Sequence, residues 1–296
     1  MCHAQFKGRY QIFLISTFNF RSNRTFRLGY LEDTEDFMMD KYWNGSVGIV
    51  AEMIVQAREV VVFTGAGIST ESGIPDFRSP GGIWTLFDPE DFTIEQFLAS
   101  PETRKKQWRI LLDGGLLADA EPNKAHLAIA ELERIGKLSC VITQNVDNLH
   151  QKAGNSPEKV YELHGNMRWL RCMGCDMRYP MKDMVDKYRS GDDIPACEHC
   201  RGILKPDVIF FGELLPEMTL KQATLHATGC DLLIVIGSSL VVYPAASIPI
   251  YAKGSGAKLV IINRTPTPCD SAADVLIHHS AGKVMGRILE EVKKRL

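Results

Sequence analysis

The chain has 296 residues, of which 45% are hydrophobic and 24% are charged, so it is long enough to bury a substantial core. Lys and Arg number 34 against 36 Asp and Glu, for a net charge of -2. A broadly basic surface that binds nucleic acid directly is therefore not expected, because counterion release requires clustered positive charge.

The first 45 residues differ from the rest of the chain. Basic residues precede the first acidic one, Glu32, and no helical or strand period persists there. We expect a disordered tail or a translation start that is placed too early, with a targeting segment as the alternative. The apolar run at 11–20 is too short to span a membrane, and no signal-peptide cleavage site follows it.

From about residue 46, short Val- and Ile-rich runs alternate with helical stretches. Strands are predicted at 59–64, 138–143, 160–163, 207–211, 232–236, 258–263 and 274–278. Helices are predicted at about 46–57, 101–113, 123–135, 217–229, 244–253 and 282–294. Such alternation is typical of an α/β domain, a Rossmann-like doubly wound parallel sheet, here over residues 46–296.

Three segments need separate interpretation. Residues 232–252 carry no charge, but Pro244 and Pro249 interrupt them, so we predict a strand, a loop and a helix rather than a membrane span. Residues of about 68–120 are mostly helical, and residues of about 167–201 carry two cysteine pairs. We interpret both as insertions that together form a smaller lobe.

A glycine-rich turn follows the first predicted strand. It contains Gly65, Ala66 and Gly67 and continues into Ser69. Such a turn lets the backbone approach a pyrophosphate closely. Thr70 stands where G-x-G-x-x-G has its third glycine, so a tight turn without a ligand remains an alternative.

Further polar residues lie in the next loop and after later strands. Residues 76–78 place an acid and a base on either side of an aromatic ring, which suits contact with ribose, phosphate or nicotinamide, although a solvated loop is equally open. The residues of these groups are Asp76, Phe77 and Arg78; Gln144, Asn145 and Asp147; Gly237, Ser238 and Ser239; and Asn263 and Arg264. Ligands of open α/β sheets bind at the carboxyl ends of strands, where the last three groups are expected.

His164 follows the predicted strand at 160–163 and precedes a glycine. An imidazole titrates near neutrality and suits a general base, although a lone histidine is often only structural.

Four of the eight cysteines form two C-x-x-C pairs, Cys172 with Cys175 and Cys197 with Cys200, with 21 residues between the pairs. This spacing predicts a Cys₄ zinc site. Four thiolates leave no open position for water, so we expect a structural zinc; redox-active thiols are the alternative. Reduced cysteines favour a cytoplasmic location.

Taken together, these motifs resemble the sirtuin family, in particular its prokaryotic-type members. Besides the cysteine pairs, the matching stretches occur in the family's order: TGAGIST at 64–70, GIPDFR at 73–78, TQNVD at 143–147, LHGN at 163–166, PDVIFFGE at 206–213, GSSL at 237–240 and IN at 262–263.

The resemblance implies an NAD-dependent protein-lysine deacetylase, a monomer that transfers the acetyl group of an acetyl-lysine protein or peptide to ADP-ribose and releases nicotinamide. Alternatives are a mono-ADP-ribosyltransferase on the same NAD site and a non-enzymatic NAD-binding scaffold. By position, His164 matches the family's base. Asn145 and Asp147 match residues that hold ribose and carboxamide, and the remaining polar residues of the glycine turn and strand ends match the NAD cradle. The matches to the peptide-binding segments are Val208, Phe211, Gly212, Glu213 and Val241.

The resemblance also bears on the acyl group. Desuccinylating members carry a Tyr-x-x-Arg pair on the helix after the residue that Pro101 matches. Trp108 and Leu111 stand about there, with Arg109 as the alternative register. A neutral wall cannot pair a buried carboxylate, so we expect acetyl to be preferred over succinyl.

Overall fold

The computed structural model describes residues 32–112, 120–188 and 194–296. The chain divides into two units, Met1–Asp40 and Lys41–Leu296, and everything below concerns the second unit except for the start of one helix.

The strands are β1 (Val60–Thr64), β2 (Cys140–Thr143), β3 (Val160–Glu162), β4 (Gly165–Cys172), β5 (Arg178–Pro180), β6 (Leu204–Val208), β7 (Leu232–Ile236), β8 (Lys258–Ile262) and β9 (Val275–Ile277). The α-helices are α1 (Glu32–Gln56), α2 (Ile83–Leu86), α3 (Ile94–Ala99), α4 (Pro101–Leu112), α5 (Lys124–Arg134), α6 (Leu149–Ala153), α7 (Met181–Tyr188), α8 (Glu217–Gly229), α9 (Ile248–Gly254) and α10 (Ala281–Arg295). Short 3₁₀ helices lie at Ala66–Ser72, Pro89–Phe92, Pro157–Lys159, Ala245–Ser247 and Asp270–Ala272.

A six-stranded sheet forms the main layer, in the order β3-β2-β1-β7-β8-β9, and all its pairs are parallel. Alternate residues of β1 serve opposite cores: Val60 and Val62 pack with α1, α5 and α10, whereas Val61 and Phe63 pack with α8 and α9. Because both faces are covered, the strands are continuously apolar. The predicted Rossmann-like fold is confirmed.

The smaller sheet is antiparallel, in the order β5-β4-β6, and α7 packs beside it. It extends on both sides of the insertion predicted at about 167–201. The strand predicted at 207–211 begins earlier and belongs to this sheet, because β6 pairs Leu204 with Cys172 and Val208 with Gly165.

At the N-terminal end, α1 begins at Glu32, whereas the sequence predicts a helix only from about residue 46 and a tail up to 45. Acidic residues in its first turn, Glu32 and Asp33 among them, favour a helix N-terminus. Residues 1–31 of the tail predicted at 1–45 lie outside the described residues. Within the described part of the chain, no helix is both long and apolar enough to cross a membrane.

Candidate functional site

The strand order reverses at β1, which pairs with β2 on one side and β7 on the other. Ligands of doubly wound sheets bind at such a switch point. There the Gly67 N–H donates to the Gly237 carbonyl at 2.8 Å, and a Cβ on Gly237 would lie 2.2 Å from the Ile68 nitrogen. Gly237 also has φ +63°, in the left-handed region. Glycine is therefore required for the two turns to meet, and bare backbone forms the floor of the site.

Two of the predicted polar positions are joined across this floor. The Gln144 side-chain amide donates to Ser238 Oγ at 2.8 Å, which links the end of β2 to the end of β7. At the end of β8, Asn263 is buried and its amide donates to the Thr265 carbonyl at 2.7 Å, while Arg264 is exposed. The structure thus brings Gln144, Ser238 and Asn263 to the same sheet edge.

A second polar cluster combines the glycine turn with the loop after β2. The Asn145 amide donates to Ser69 Oγ at 3.1 Å, and the Ser69 hydroxyl donates to Asp147 Oδ2 at 2.7 Å. Asp147 Oδ1 also accepts the Leu149 N–H, at the start of α6. Ser69 and Asn145 are buried, so these hydrogen bonds fix the side chains in place before any ligand arrives.

His164 lies at the end of the β3 segment, and its Nδ1 is 3.0 Å from the Gln144 carbonyl oxygen. A carbonyl oxygen only accepts, so Nδ1 carries the hydrogen and Nε2 keeps its lone pair. Burial lowers the pKa of His164, and the hydrogen bond to Gln144 opposes that shift. The imidazole is therefore neutral near pH 7 and can accept a proton at Nε2.

The loop after the glycine turn is shaped by Asp76. Its carboxylate accepts the backbone N–H groups of Arg78 and Ser79 and the Ser79 hydroxyl, at 2.6 to 2.9 Å. Burial acts to raise the pKa of Asp76, but these hydrogen bonds outweigh it and the pKa is lowered. Asp76 thus builds the loop, and Arg78 reaches Ser239 Oγ at 3.5 Å.

The segment after β6 is fastened by Lys205, which the sequence analysis missed. Lys205 is only 4% exposed, and its ammonium donates to the Pro206 and Val208 carbonyls and to Glu213 Oε2 at 3.0 Å. Glu213 Oε2 also accepts the Phe210 N–H at 2.7 Å. The predicted peptide contact Glu213 therefore faces inward and closes the loop. The sequence of β6, LKPDV, carries both Lys205 and Asp207 and offers no signal that singles out Lys205 as the buried one.

The other predicted peptide-binding residues differ in exposure. Val208 is buried, whereas the side chains of Phe211 and Val241 are 45% and 43% exposed. Among the described residues, the backbone N–H groups of Gly212 and Val241 donate to no protein acceptor. These two segments can therefore bind an extended peptide through the backbone.

The four predicted cysteines come together, with all their Sγ atoms within 4.8 Å of one another. The Sγ atoms of Cys172 and Cys200 are 3.4 Å apart, and those of Cys175 and Cys197 are 3.6 Å apart. Four sulfurs at about 2.3 Å from a tetrahedral Zn²⁺ are about 3.8 Å from each other, so the cluster is positioned to bind zinc.

The two cysteine turns have the same backbone form. The residues after each pair, Asp176 and Arg201, have φ +59° and +63°, and each donates its N–H to the carbonyl of the first cysteine of its pair. The Tyr179 hydroxyl lies 3.1 Å from Cys197 Sγ, and this contact is the largest of the effects that lower the pKa of that thiol to about 6; the backbone N–H groups of His199 and Cys200 act in the same direction. Tyr179 thus favours the thiolate that a metal requires.

The acyl wall on α4, Trp108 and Leu111 with Arg109 as the alternative register, stays a prediction. Trp108 is only 2% exposed and packs, with Leu111, into the core of the cysteine-bearing lobe. The same core is completed by Leu170, Met181 and Leu204, with Tyr179 and Tyr188 packed against it. Arg109 is exposed, and the Arg104 guanidinium donates to the Phe97 and Leu98 carbonyls.

Comparison with known proteins gives a consistent result. The model of the Sir2 family matches residues 65–244. NAD-dependent protein deacetylase 1 of Bradyrhizobium diazoefficiens is 49% identical over 238 residues, which cover 80% of this chain and 92% of that protein. NAD-dependent protein deacylase 2 of Archaeoglobus fulgidus is 47% identical, covering 82% and 95%. A solved complex of Sir2, p53 peptide and NAD+ matches with a TM-score of 0.74 at 40% identity, covering 82% of this chain and 97% of that one.

Proposed function

Because the chain belongs to the Sir2 family, we propose that it is an NAD-dependent protein-lysine deacetylase that transfers the acetyl group to ADP-ribose and releases nicotinamide. The observation that carries this function is the neutral His164, held against the Gln144 carbonyl at the end of β2, where the adjacent Asn145 belongs to a pre-formed cluster with Ser69 and Asp147. Transfer to ADP-ribose requires a base at the ribose and a fixed amide at the nicotinamide, and this edge of the sheet offers both.

The NAD pyrophosphate fits the glycine floor because Gly65, Gly67 and Gly237, which the contact between the two turns requires, leave bare backbone at the carboxyl ends of the strands. Gly65, Ala66, Gly67, Ser238 and Ser239 take the phosphates, with Arg78 as the cation. Asn263 and Gln144 lie where ribose hydroxyls need partners, and Asn145 and Asp147 hold the nicotinamide end. When bound, NAD supplies the ADP-ribose acceptor and nicotinamide as its leaving group.

His164 accepts the proton of a ribose hydroxyl at Nε2 in this proposal, and the Gln144 carbonyl stabilises the resulting imidazolium through Nδ1–H. The acyl-lysine peptide binds between residues 208–213 and 240–243, as the open N–H groups of Gly212 and Val241 support. Backbone pairing accepts many sequences, so several protein substrates are expected.

The four cysteines hold a zinc ion whose role is structural, since all four tetrahedral positions are filled by sulfur. It stabilises the small lobe, whose core is limited to a few side chains around Leu170 and Leu204. We propose a cytoplasmic location because thiolates in the metal site require reducing conditions, and we propose, separately, that the protein is a monomer. The net charge of -2 fits a protein that does not bind nucleic acid directly.

The test is mass spectrometry of an acetyl-lysine peptide incubated with the purified protein, with and without NAD. Loss of the acetyl mass only with NAD, together with O-acetyl-ADP-ribose, is expected. His164→Ala should lower the rate by about 10² to 10⁴, as removal of a general base does. Leu127→Ala, at an exposed position on α5, is the matched control and should retain the rate. A peptide that gains ADP-ribose, or binding of NAD without turnover, would establish a transferase or a scaffold instead.

A further inference from the structure

Four aromatic rings connect the loop of Asp76–Arg78 to the segment after β6. Trp84, on α2, lies at the centre: its ring centroid is 5.1 Å from that of Phe77, 5.6 Å from Phe92 and 5.9 Å from Phe211. All three pairs are within the range in which aromatic rings attract one another. Trp84 is therefore in contact with the proposed NAD loop on one side and with the proposed peptide segment on the other.

Backbone hydrogen bonds hold this arrangement at both ends. The Trp84 N–H donates to the Phe77 carbonyl at 3.1 Å, which closes the loop against α2. The Phe211 N–H donates to the Phe92 carbonyl at 3.0 Å, and the Phe211 carbonyl accepts the Ile94 N–H at 3.0 Å. The two segments can therefore not shift far without moving the ring between them.

The outer rings are partly open to solvent: Phe77 is 38% exposed and Phe211 is 45% exposed, whereas Trp84 is half-buried. If a ligand that contacts Phe77 or Phe211 displaces that ring, Trp84 loses part of its ring contact unless it moves as well, since even a small gap loses much of the attraction. Through these ring contacts, binding of one ligand can change the affinity for the other.

We propose that Trp84 is a positioning residue that couples NAD binding to acyl-peptide binding by transmitting ring contact between Phe77 and Phe211. The inference rests on the proposed function, because it assigns these two segments to the two substrates. Coupling between sites is typically about 5- to 150-fold in affinity and must be equal in both directions. We expect a value in this range for the unaltered protein.

The experiment is calorimetric titration with ADP-ribose, which occupies the NAD site without reacting, in the absence and presence of saturating acetyl-lysine peptide. The ratio of the two Kd values is the coupling factor, and titration in the opposite order must return the same factor. Trp84→Leu should bring the factor close to one, while each Kd measured alone changes much less. Trp84→Phe, which keeps an aromatic face, should restore most of the coupling.

Phe87→Leu is the matched control. Phe87 lies on the same segment, and its ring centroid is 6.1 Å from that of Phe92. The substitution therefore removes an aromatic ring without interrupting the contacts from Phe77 through Trp84 to Phe211. It should retain the coupling factor. If Trp84→Leu fails to fold, Trp84→Met takes its place, because an unbranched side chain fills irregular gaps.

A coupling factor near one in the unaltered protein would overturn the inference and leave the proposed function standing. The same holds if Trp84→Leu retains full coupling, or if Phe87→Leu loses as much. Failure of the proposed function is distinguishable: the protein would then bind no ADP-ribose, or would bind it and never deacetylate the peptide.

Discussion

Two buried histidines lie beneath the carboxyl end of β1 and make acid stability a direct test of the structure. His126 on α5 and His150 on α6 have ring centroids 5.1 Å apart, and His150 Nε2 is 2.9 Å from Thr64 Oγ1. Among the described residues, His126 Nε2 and His150 Nδ1 have no hydrogen-bond partner. Burial lowers the pKa of His126 to about 4, against an opposing effect of Asp147, and it lowers that of His150 as well.

The sign and size of the effect follow for His126. Its ordinary pKa is 6.5, so between 6.5 and about 4 the unfolded chain binds a proton that the folded chain does not. The free energy of unfolding therefore falls as the pH falls through this window, and the stability is fully present only above 6.5. From about pH 7.5 to about pH 5.5 this one group removes about 1.4 kcal/mol.

His126→Gln tests this without breaking the helix start. His126 Nδ1 accepts the Asn123 N–H at 3.4 Å in a capping box, and glutamine is a usual residue at that position. The free energy of unfolding is measured with urea at about pH 7.5 and about pH 5.5. Its decrease between the two pH values should be smaller in His126→Gln than in the unaltered protein, by about 1.4 kcal/mol. Zinc release and the histidines remote from His126 affect both proteins equally and cancel in this difference; His150 is the exception, because His126 contributes to the lowering of its pKa.

Leu127→Gln, at the exposed neighbouring position, is the control and should leave the pH-dependent loss unchanged. An equal loss in His126→Gln and in the unaltered protein would refute the reasoning, because it would mean that His126 is already protonated in the fold or reaches solvent.

Three further predictions concern the metal, the peptide segment and the N-terminus. Cys172→Ala should lose zinc by elemental analysis and lower Tm, and a folded, active variant with full zinc content would contradict the site. Lys205→Met removes the cation that pairs with Glu213 and leaves only the Phe210 N–H as its donor, so Tm should fall. KM for the peptide should rise by about tenfold, equivalent to about 1.4 kcal/mol, while KM for NAD stays constant; an unchanged peptide KM would exclude the loop-closing role. A chain that starts at Met39 keeps the buried Trp43 and should retain activity and Tm, and a large fall in either would show that residues 1–38 contribute to the fold.

The parts of the fold that could be predicted from sequence are those whose signal is local. The strand predicted at 232–236 is found at Leu232–Ile236, because an apolar, branched run of strand length has few other solutions inside an α/β domain. The zinc site was predictable for the same reason, since each C-x-x-C pair is one turn of backbone. The glycine turn was also predictable, although it continues as a 3₁₀ helix at Ala66–Ser72.

What could not be predicted depends on distant pairing. β4 and β6 pair only because the cysteine turns bring residues 165–172 and 204–208 together, and neither stretch has a clean period of two. The side chain of Trp108 packs into the small-lobe core, and the side chain of Glu213 turns inward to pair with the buried Lys205. Both orientations depend on residues that are distant in the sequence. Family resemblance places such residues near a site without fixing what they touch.

The floor of the site and its covering loop are held by different kinds of interaction. The 3₁₀ helix at Ala66–Ser72 is fastened by hydrogen bonds from two helices: the Asn123 amide donates to the Ile68 carbonyl at 2.7 Å, and Glu71 accepts the Gly282 N–H at the start of α10 at 2.8 Å. The loop around Phe77 is held internally by the hydrogen bonds of Asp76 and of the Trp84 N–H, but Trp84 contacts Phe211 through aromatic rings, which carry little directional constraint. A pre-formed floor therefore fixes where the chemistry occurs, and motion that accompanies binding is expected where ring contacts can shift without breaking the hydrogen bonds within the loop.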